Sequence, residues 1–506
     1  MIHHGELYQR DHVPPRSKYF AKGKFGRLFP TLDEFAKDTK EVRDALRALG
    51  VPGGLMDPGA SPPAPPESNP DNPAITAGFT FLGQFLDHDL TFDPTSSLER
   101  QNDPESIENF RTPAFELDSL YASGKAATPH LYDKTARPDG TGSRDKLLLD
   151  KGAEFDLPRN SQNTAIIGDP RNDENVIVSQ LHVAFIKFHN NVVDHVRANN
   201  PTLNPNEVFP EAQKLVRWHY QWMILHEFLP LLVGEDIVEE VLDKHPAWEY
   251  KKSQAGKEGK GGNIYGGGKE NPKKGRIYYD WKDRPFIPVE FSVAAYRFGH
   301  SQIRPGYRLN KDVARPIFLA ATDPPTDNPQ DLTGGRRDPQ LVADWRNFFV
   351  IDGNKPLQGK KIDTKLSPPL FKLPFTGPNL PTNPASLAER NLLRHLTFSL
   401  PSGQDVSRAM CIKPMDDGEL DDLKQFKVGF EKSTPLWFYI LKEAETRAKG
   451  EHLGPVGGRI VAEVFVGVLD GDRQSYLRAN PFWEPTLGAK KGEFGIADLL
   501  KFAKVV

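Results

Sequence analysis

Phe81-Leu-Gly-Gln-Phe-Leu-Asp-His-Asp-Leu90 is the stretch on which the reading of this chain turns. On a helix, Gln84, Asp87 and His88 fall at i, i+3 and i+4 and share one face, with Asp89 turned about 100° further round. A histidine, an amide and a carboxylate on an otherwise apolar helix are expensive to bury without a purpose. Alone, the triplet admits a core histidine flanked by capping aspartates, or a metal site. The rest of the chain has to decide.

Working outward, helical spacing predicts a helix over 74–92 around this stretch. A short helix opens near Thr31, and a long one over 174–198 carries Leu181, Phe185, Phe188, Val192 and Val196 on one stripe. Further helices are expected over 206–233, 289–304, 384–397, 436–448, 457–469 and 496–505. Alternating patterns are few and short, so the fold class reads as mainly α, a single large domain with few short strands. Residues 1–73 read as an N-terminal arm and proline-rich segment, and 74–506 as the catalytic domain. The glycine-rich tract 253–275 does not follow a strand and open a helix, so it is a surface insertion rather than a phosphate loop.

The chain has 506 residues and a net charge of −3, with 65 basic against 68 acidic side chains, which gives no nucleic-acid footprint. A single cysteine, Cys411, excludes an intrachain disulfide framework and a cysteine-rich metal site. The first ten residues, MIHHGELYQR, lack the apolar core of a signal peptide, and no apolar run is long enough to span a membrane. The expectation is a soluble, cytoplasmic protein, unless it is secreted by a route lacking a cleaved signal.

Three further stretches carry chemistry. Gly168-Asp-Pro-Arg171-Asn-Asp-Glu174-Asn175 sets an arginine three residues before a glutamate, which by composition alone is a polar helix entrance. Phe291 to Pro305, FSVAAYRFGHSQIRP, holds His300 with Arg297 one turn earlier, and 387–394 holds Asn391 and Arg394. Thr112-Pro-Ala-Phe-Glu116-Leu-Asp118 alternates oxygen donors at Thr112, Ala114 (by its carbonyl), Glu116 and Asp118, a pattern suited to a hard cation and completed by Asp89.

In this order and spacing, the stretches resemble the motifs of the animal haem peroxidases of the peroxidase–cyclooxygenase superfamily. The resemblance runs from about residue 20 to 505. It implies haem b, with His300 as the axial ligand of the iron, Asn391 accepting from its other ring nitrogen, and Arg297 and Arg394 on the propionates. His88 would move the peroxide proton, Arg171 would stabilise charge on the departing oxygen, and Gln84 would hold the distal water or a halide. Asp87 and Glu174 would be placed to form haem esters, and Asp89, Thr112, Ala114, Glu116 and Asp118 to bind calcium. Asn175 stands where myeloperoxidase has a methionine joined to a haem vinyl group, so no sulfonium link can form. His182 and His189 read as structural hydrogen-bonding residues.

The implied activity is reduction of hydrogen peroxide through a ferryl intermediate, with oxidation of halides, thiocyanate or small aromatic donors. The small-molecule or halide reductant and peroxide are the expected partners, with no nucleic acid and no membrane span. The nearest rival is a fatty-acid dioxygenase or cyclooxygenase. Cyclooxygenases carry a tyrosine three residues before the axial histidine, where this chain has Arg297, and Tyr296 is one position off. A non-catalytic interaction protein on the same scaffold, or a protein with a non-haem metal at His88, would also be compatible with parts of the pattern.

Overall fold

The computed structural model describes residues 25–59, 69–91, 109, 111–134, 144–150, 152, 155–243, 245, 275–281, 285–319, 330–334, 338–374 and 384–506. The glycine-rich tract, apart from Gly275, and residues 60–68 of the proline-rich segment lie outside them. The architecture is mainly α. Among the described residues the strands pair only into two antiparallel ribbons, Asp71–Thr76 with Gln358–Lys360 and Gly306–Arg308 with Ala314–Pro316. No described helix is long and apolar enough to cross a membrane.

The helix Pro455–Gly471 runs through the core, with every residue from Pro455 to Leu469 buried. A helix apolar all round has no face to give to water and must be enclosed. Two of its glycines make this packing feasible: a Cβ at Gly457 would lie 2.5 Å from Ile440 Cγ2, and one at Gly467 only 2.2 Å from the Tyr279 ring. Its one central carboxylate, Glu463, is satisfied by the backbone N–H groups of Ile277, Tyr278 and Tyr279 and by Arg459 Nε at 2.8 Å.

Two helices set the part of the molecule that matters most. Ala77–Leu90 carries His88, and Val176–Asn199 packs against it with Phe85 and Phe185 stacked face to face, centroids 4.6 Å apart. The second begins at Val176, two residues later than the spacing suggests, because Asn175 caps it, accepting from Val178 N–H at 2.9 Å. The first begins three residues later than the spacing suggests. Asn72 Oδ1 captures the N–H groups of Ala74 and Ile75 at 2.9 and 3.1 Å, which holds 71–76 extended against 358–360.

Two other expectations are corrected. The N-terminal helix does not open at Thr31 but spans Lys40–Gly50, capped by Thr39. Residues 31–36 are held in turns, and the buried Phe35 gives its N–H to Leu400 O at 2.8 Å. This helix packs on Leu387–Thr397, so closely that a Cβ at Gly50 would lie 2.7 Å from Glu389 N. The segment around His300 is not an α-helix over 289–304. It is a π-turn, Glu290–Ala294, that tightens into a 3-10 helix, Ala295–His300. The buried Glu290 carboxylate accepts from Leu28 and Phe29 N–H at 3.0 and 3.1 Å and ties this irregular stretch to the segment at 28–29.

Phe85→Ala should cost about 3–5 kcal/mol of stability, read by urea denaturation, because it empties the contact between these two helices.

Candidate active site

A cavity of about 530 Å³ opens between the His88 helix and the His300 segment. Gln84, Asp87, His88, Arg171 and Glu174 border one side, and Arg297, His300 and Arg394 the other, among phenylalanine and leucine side chains. Asn391 stands behind His300. Eight side chains expected from four separate stretches thus face one enclosed space.

On the His88 side, the ring is buried and its Nδ1 lies 2.7 Å from Asn172 Oδ1. Burial, reinforced by the charge of Arg171, holds its pKa down to about 3, so the ring is a neutral base at any ordinary pH. Glu174 Oε1 lies 3.6 Å from His88 Nε2 and also receives Gln84 Nε2, whose own amide oxygen accepts from Asn175 Nδ2 at 3.2 Å. The Glu174 side chain is 40% accessible because it borders the cavity, yet it sits deep in the molecule. Desolvation lifts its pKa to about 7 despite the nearby Arg171.

Arg171 is locked from behind. Its Nε and Nη2 grip Asp169 at 3.1 and 2.9 Å, and Nη2 also reaches the carbonyl of His88 at 3.0 Å and that of Thr91. Asp169 further accepts from Arg111, and these guanidinium groups hold its carboxyl well below the usual range against the cost of burial. Asp87 is raised by burial, and its carboxylate accepts from Thr91 Oγ1 at 3.2 Å.

On the opposite side, His300 Nδ1 lies 2.7 Å from Asn391 Nδ2, while Asn391 Oδ1 is buried with no hydrogen-bond partner among the described residues. Arg297 Nε is likewise buried without a partner among them, and burial pulls the guanidinium below its usual pKa against the attraction of Asp87. Tyr296, next to it, donates its hydroxyl to Gly83 O at 3.1 Å and so ties the His300 segment to the His88 helix.

The expected cation loop lies off the cavity. Asp89 is buried; Oδ1 accepts from Asp118 N–H at 2.9 Å, and Oδ2 from Leu117 N–H at 3.0 Å and Tyr220 OH at 3.2 Å. Burial and then the Asp118 charge push Asp89 up to about 7, and the same two causes push Glu116 well above its usual value. Thr112 O accepts from Ala114 N–H at 2.8 Å, closing the turn. Among the described residues, no group of three or more histidine, cysteine, aspartate or glutamate side chains is arranged to hold a metal ion.

Sequence reasoning missed Asp169 and Asn172, which flank Arg171 in the chain or lie beside it. The Asp-Pro that opens this turn was the available signal, because Asp169 caps it by accepting from Arg171 N–H at 2.9 Å. His182 and His189 are structural, as expected. His182 accepts from Asn172 Nδ2 at 2.9 Å, and His189 bridges Tyr121 OH at 3.0 Å and Asp145 O at 2.8 Å.

Comparison with known proteins finds likeness in both sequence and fold. The animal haem peroxidase family model matches residues 137–322. Peroxidasin of Drosophila melanogaster is 22% identical over 362 residues, which cover 67% of this chain and 20% of the relative. This chain spans less than half the length of the curated relatives it matches. Peroxidase A of Dictyostelium discoideum has the same fold, with a TM-score of 0.59 at 14% identity, covering 94% of this chain and 92% of that one. So does the fatty acid alpha-dioxygenase of Oryza sativa, with a TM-score of 0.58 at 15% identity, covering 100% and 84%. The chain therefore resembles the animal haem peroxidases in sequence, and it shares its fold with these peroxidase and dioxygenase structures.

Burial holds the His189 pKa near 4, below the value of about 6.5 expected in an unfolded chain. Its contribution to stability is therefore complete above pH 6.5 and lost as pH falls towards 4. The stability difference between the wild type and His189→Gln, measured by denaturation at several pH values, should shrink over that window.

Proposed function

We propose that this protein is a haem peroxidase that reduces hydrogen peroxide and oxidises halides, thiocyanate or small aromatic donors. The observation that carries the reading is one cavity with a buried histidine and an anchored arginine on one side and a histidine backed by an amide on the other.

The residues fit haem. A planar macrocycle with two carboxylates needs apolar walls, a basic nitrogen and cations. The cavity offers phenylalanine and leucine side chains, His300, and Arg297 and Arg394. The unpartnered Nε of Arg297 suits a propionate. A histidine that binds metal through Nε2 must keep its proton on Nδ1, and that proton needs an acceptor. Turning the Asn391 amide about its terminal bond puts the orphaned Oδ1 on His300 Nδ1–H and leaves Nε2 facing the cavity. Haem b held there by His300, Arg297 and Arg394 would supply a redox-active iron for the reaction with peroxide.

The chain's own groups then act as follows. His88 Nε2 takes the proton of incoming peroxide and returns it to the departing oxygen. Arg171, held by Asp169, presents fixed positive charge to that oxygen without having to reorganise. Gln84 holds the water or anion beside His88. Asp87 and Glu174, both bordering the cavity, are the carboxyl groups proposed to form ester bonds to haem. Residues 74–506 serve as the catalytic domain, with the Lys40–Gly50 helix of the arm bracing the Asn391 helix.

His88→Ala should keep bound haem and lose about a hundredfold or more in the rate of reaction with peroxide, followed by stopped-flow absorption. His300→Ala should lose or displace haem. Full activity in both variants would overturn the reading.

Calcium is proposed at Asp89, Thr112, Ala114, Glu116 and Asp118, supported by the burial of mutually repelling carboxylates that a cation would neutralise. Without calcium, the raised pKa of Asp89 means that stability present below about pH 4 is lost as pH rises through 7. Chelator-treated protein should show this loss in thermal unfolding, and added calcium should reverse it. No response to calcium would remove the site.

The second reading, fatty-acid dioxygenation, draws on the shared fold and on Tyr296 at the cavity wall. Oxygen uptake on adding an unsaturated fatty acid, lost in Tyr296→Phe, would favour it. Peroxide-dependent turnover of small donors alone would not.

A further inference from the structure

The turn that presents Arg171 to the cavity carries, in the next position, a side chain pointing inward. Asn172 is fully buried, and its amide lies between two buried imidazoles. Its Oδ1 is 2.7 Å from His88 Nδ1, and its Nδ2 is 2.9 Å from His182 Nδ1. An amide oxygen can only accept and an amide nitrogen can only donate. In this arrangement His88 therefore carries its proton on Nδ1, and its Nε2, the atom nearest Glu174, offers a lone pair. His182 must accept at Nδ1 and keep its own proton on Nε2.

We propose that Asn172 is the positioning residue of the base: its amide oxygen fixes His88 in the Nδ1–H form with Nε2 ready to take a proton, and its amide nitrogen is anchored on His182. The inference rests on the peroxidase reading for its purpose, but not for its geometry. His182 is buried, with its ring edge-on to Phe85, one turn before His88, at a centroid distance of 6.2 Å. Phe85 stacks in turn on Phe185 of the His182 helix. The three polar groups are thus held by the same packing that joins the two helices. Neither imidazole can turn over without leaving a buried polar atom unpaired. The groups whose charge reaches His88 are Arg171, Asp169 and Arg111, with Glu174 at its Nε2; none of them contacts Nδ1 in Asn172's place.

The test is a nitrogen-15 NMR measurement of the His88 tautomer in the full-length chain, joined to the rate of cyanide binding. The NMR is recorded with haem in its diamagnetic reduced carbonyl form, or on the chain as purified if it takes no haem. Cyanide binding requires removal of a proton by the base but involves no turnover. In the wild type, His88 should be protonated on Nδ1. In Asn172→Leu it should shift towards Nε2–H, with cyanide binding slowed roughly tenfold to a hundredfold. Asn172→Asp, which keeps the acceptor, should retain the Nδ1–H form and most of the rate.

An unchanged tautomer in folded Asn172→Leu, or an Asn172→Asp variant as impaired as the leucine one, would overturn the proposal. If the leucine variant does not fold, His182→Phe applies the same test: a loss of the Nδ1–H population supports the arrangement, and no change refutes it. A wild type with the predicted tautomer but no haem and no reaction with peroxide would sink the peroxidase reading while leaving the positioning role intact.

Discussion

The buried pairing of Asp169 with Arg171 and Arg111 is the interaction on which the rest of the site depends. A carboxylate with no solvent exposure is tolerable only if its charge is matched and its lone pairs are filled. Here both conditions are met, and meeting them joins three pieces of chain. Arg111 belongs to the stretch that leads into the Asp118 turn. Arg171 reaches from the mouth of the long helix to the carbonyls of His88 and Thr91, closing the C-terminal end of the His88 helix. The backbone between them is packed tightly enough that a Cβ at Gly168 would lie 2.7 Å from the carbonyls of Asp118 and Ser119. Breaking the pair would therefore release the arginine, the base and the oxygen-rich turn together.

On the other side of the cavity, irregular backbone does the equivalent work. A regular α-helix over the His300 segment would repeat every 3.6 residues. Instead a π-turn followed by a 3-10 helix changes the phase between Phe291 and His300. The result places Arg297 and His300 on the cavity wall while Tyr296 reaches across to Gly83.

How much of this could be read from the sequence divides along physical lines. The helix 176–199, with its apolar stripe, and the helix 455–471, apolar all round, were legible because each pattern is local to the chain and survives any tertiary context. The turns at 31–36 and the strand before Ala77 were not, since each is held by contacts with Leu400 or Gln358–Lys360 hundreds of residues away. Within the site, side chains recognisable from their motifs were found. Asn172 was missed because an asparagine in a polar turn carries no signal until His88 and His182, 84 and 10 residues distant, are seen on either side of it. The fold alone does not separate a peroxidase from a dioxygenase, since both kinds of neighbour match it equally well.

The central claim is that the cavity between His88 and His300 holds haem. The most direct measurement is the absorption spectrum of the full-length protein produced with haem available, repeated after acidic organic extraction. The account predicts a Soret band at one haem per chain. A fraction that stays with the polypeptide after extraction would mark ester bonds at Asp87 or Glu174. A correctly folded protein with no Soret band would contradict the account.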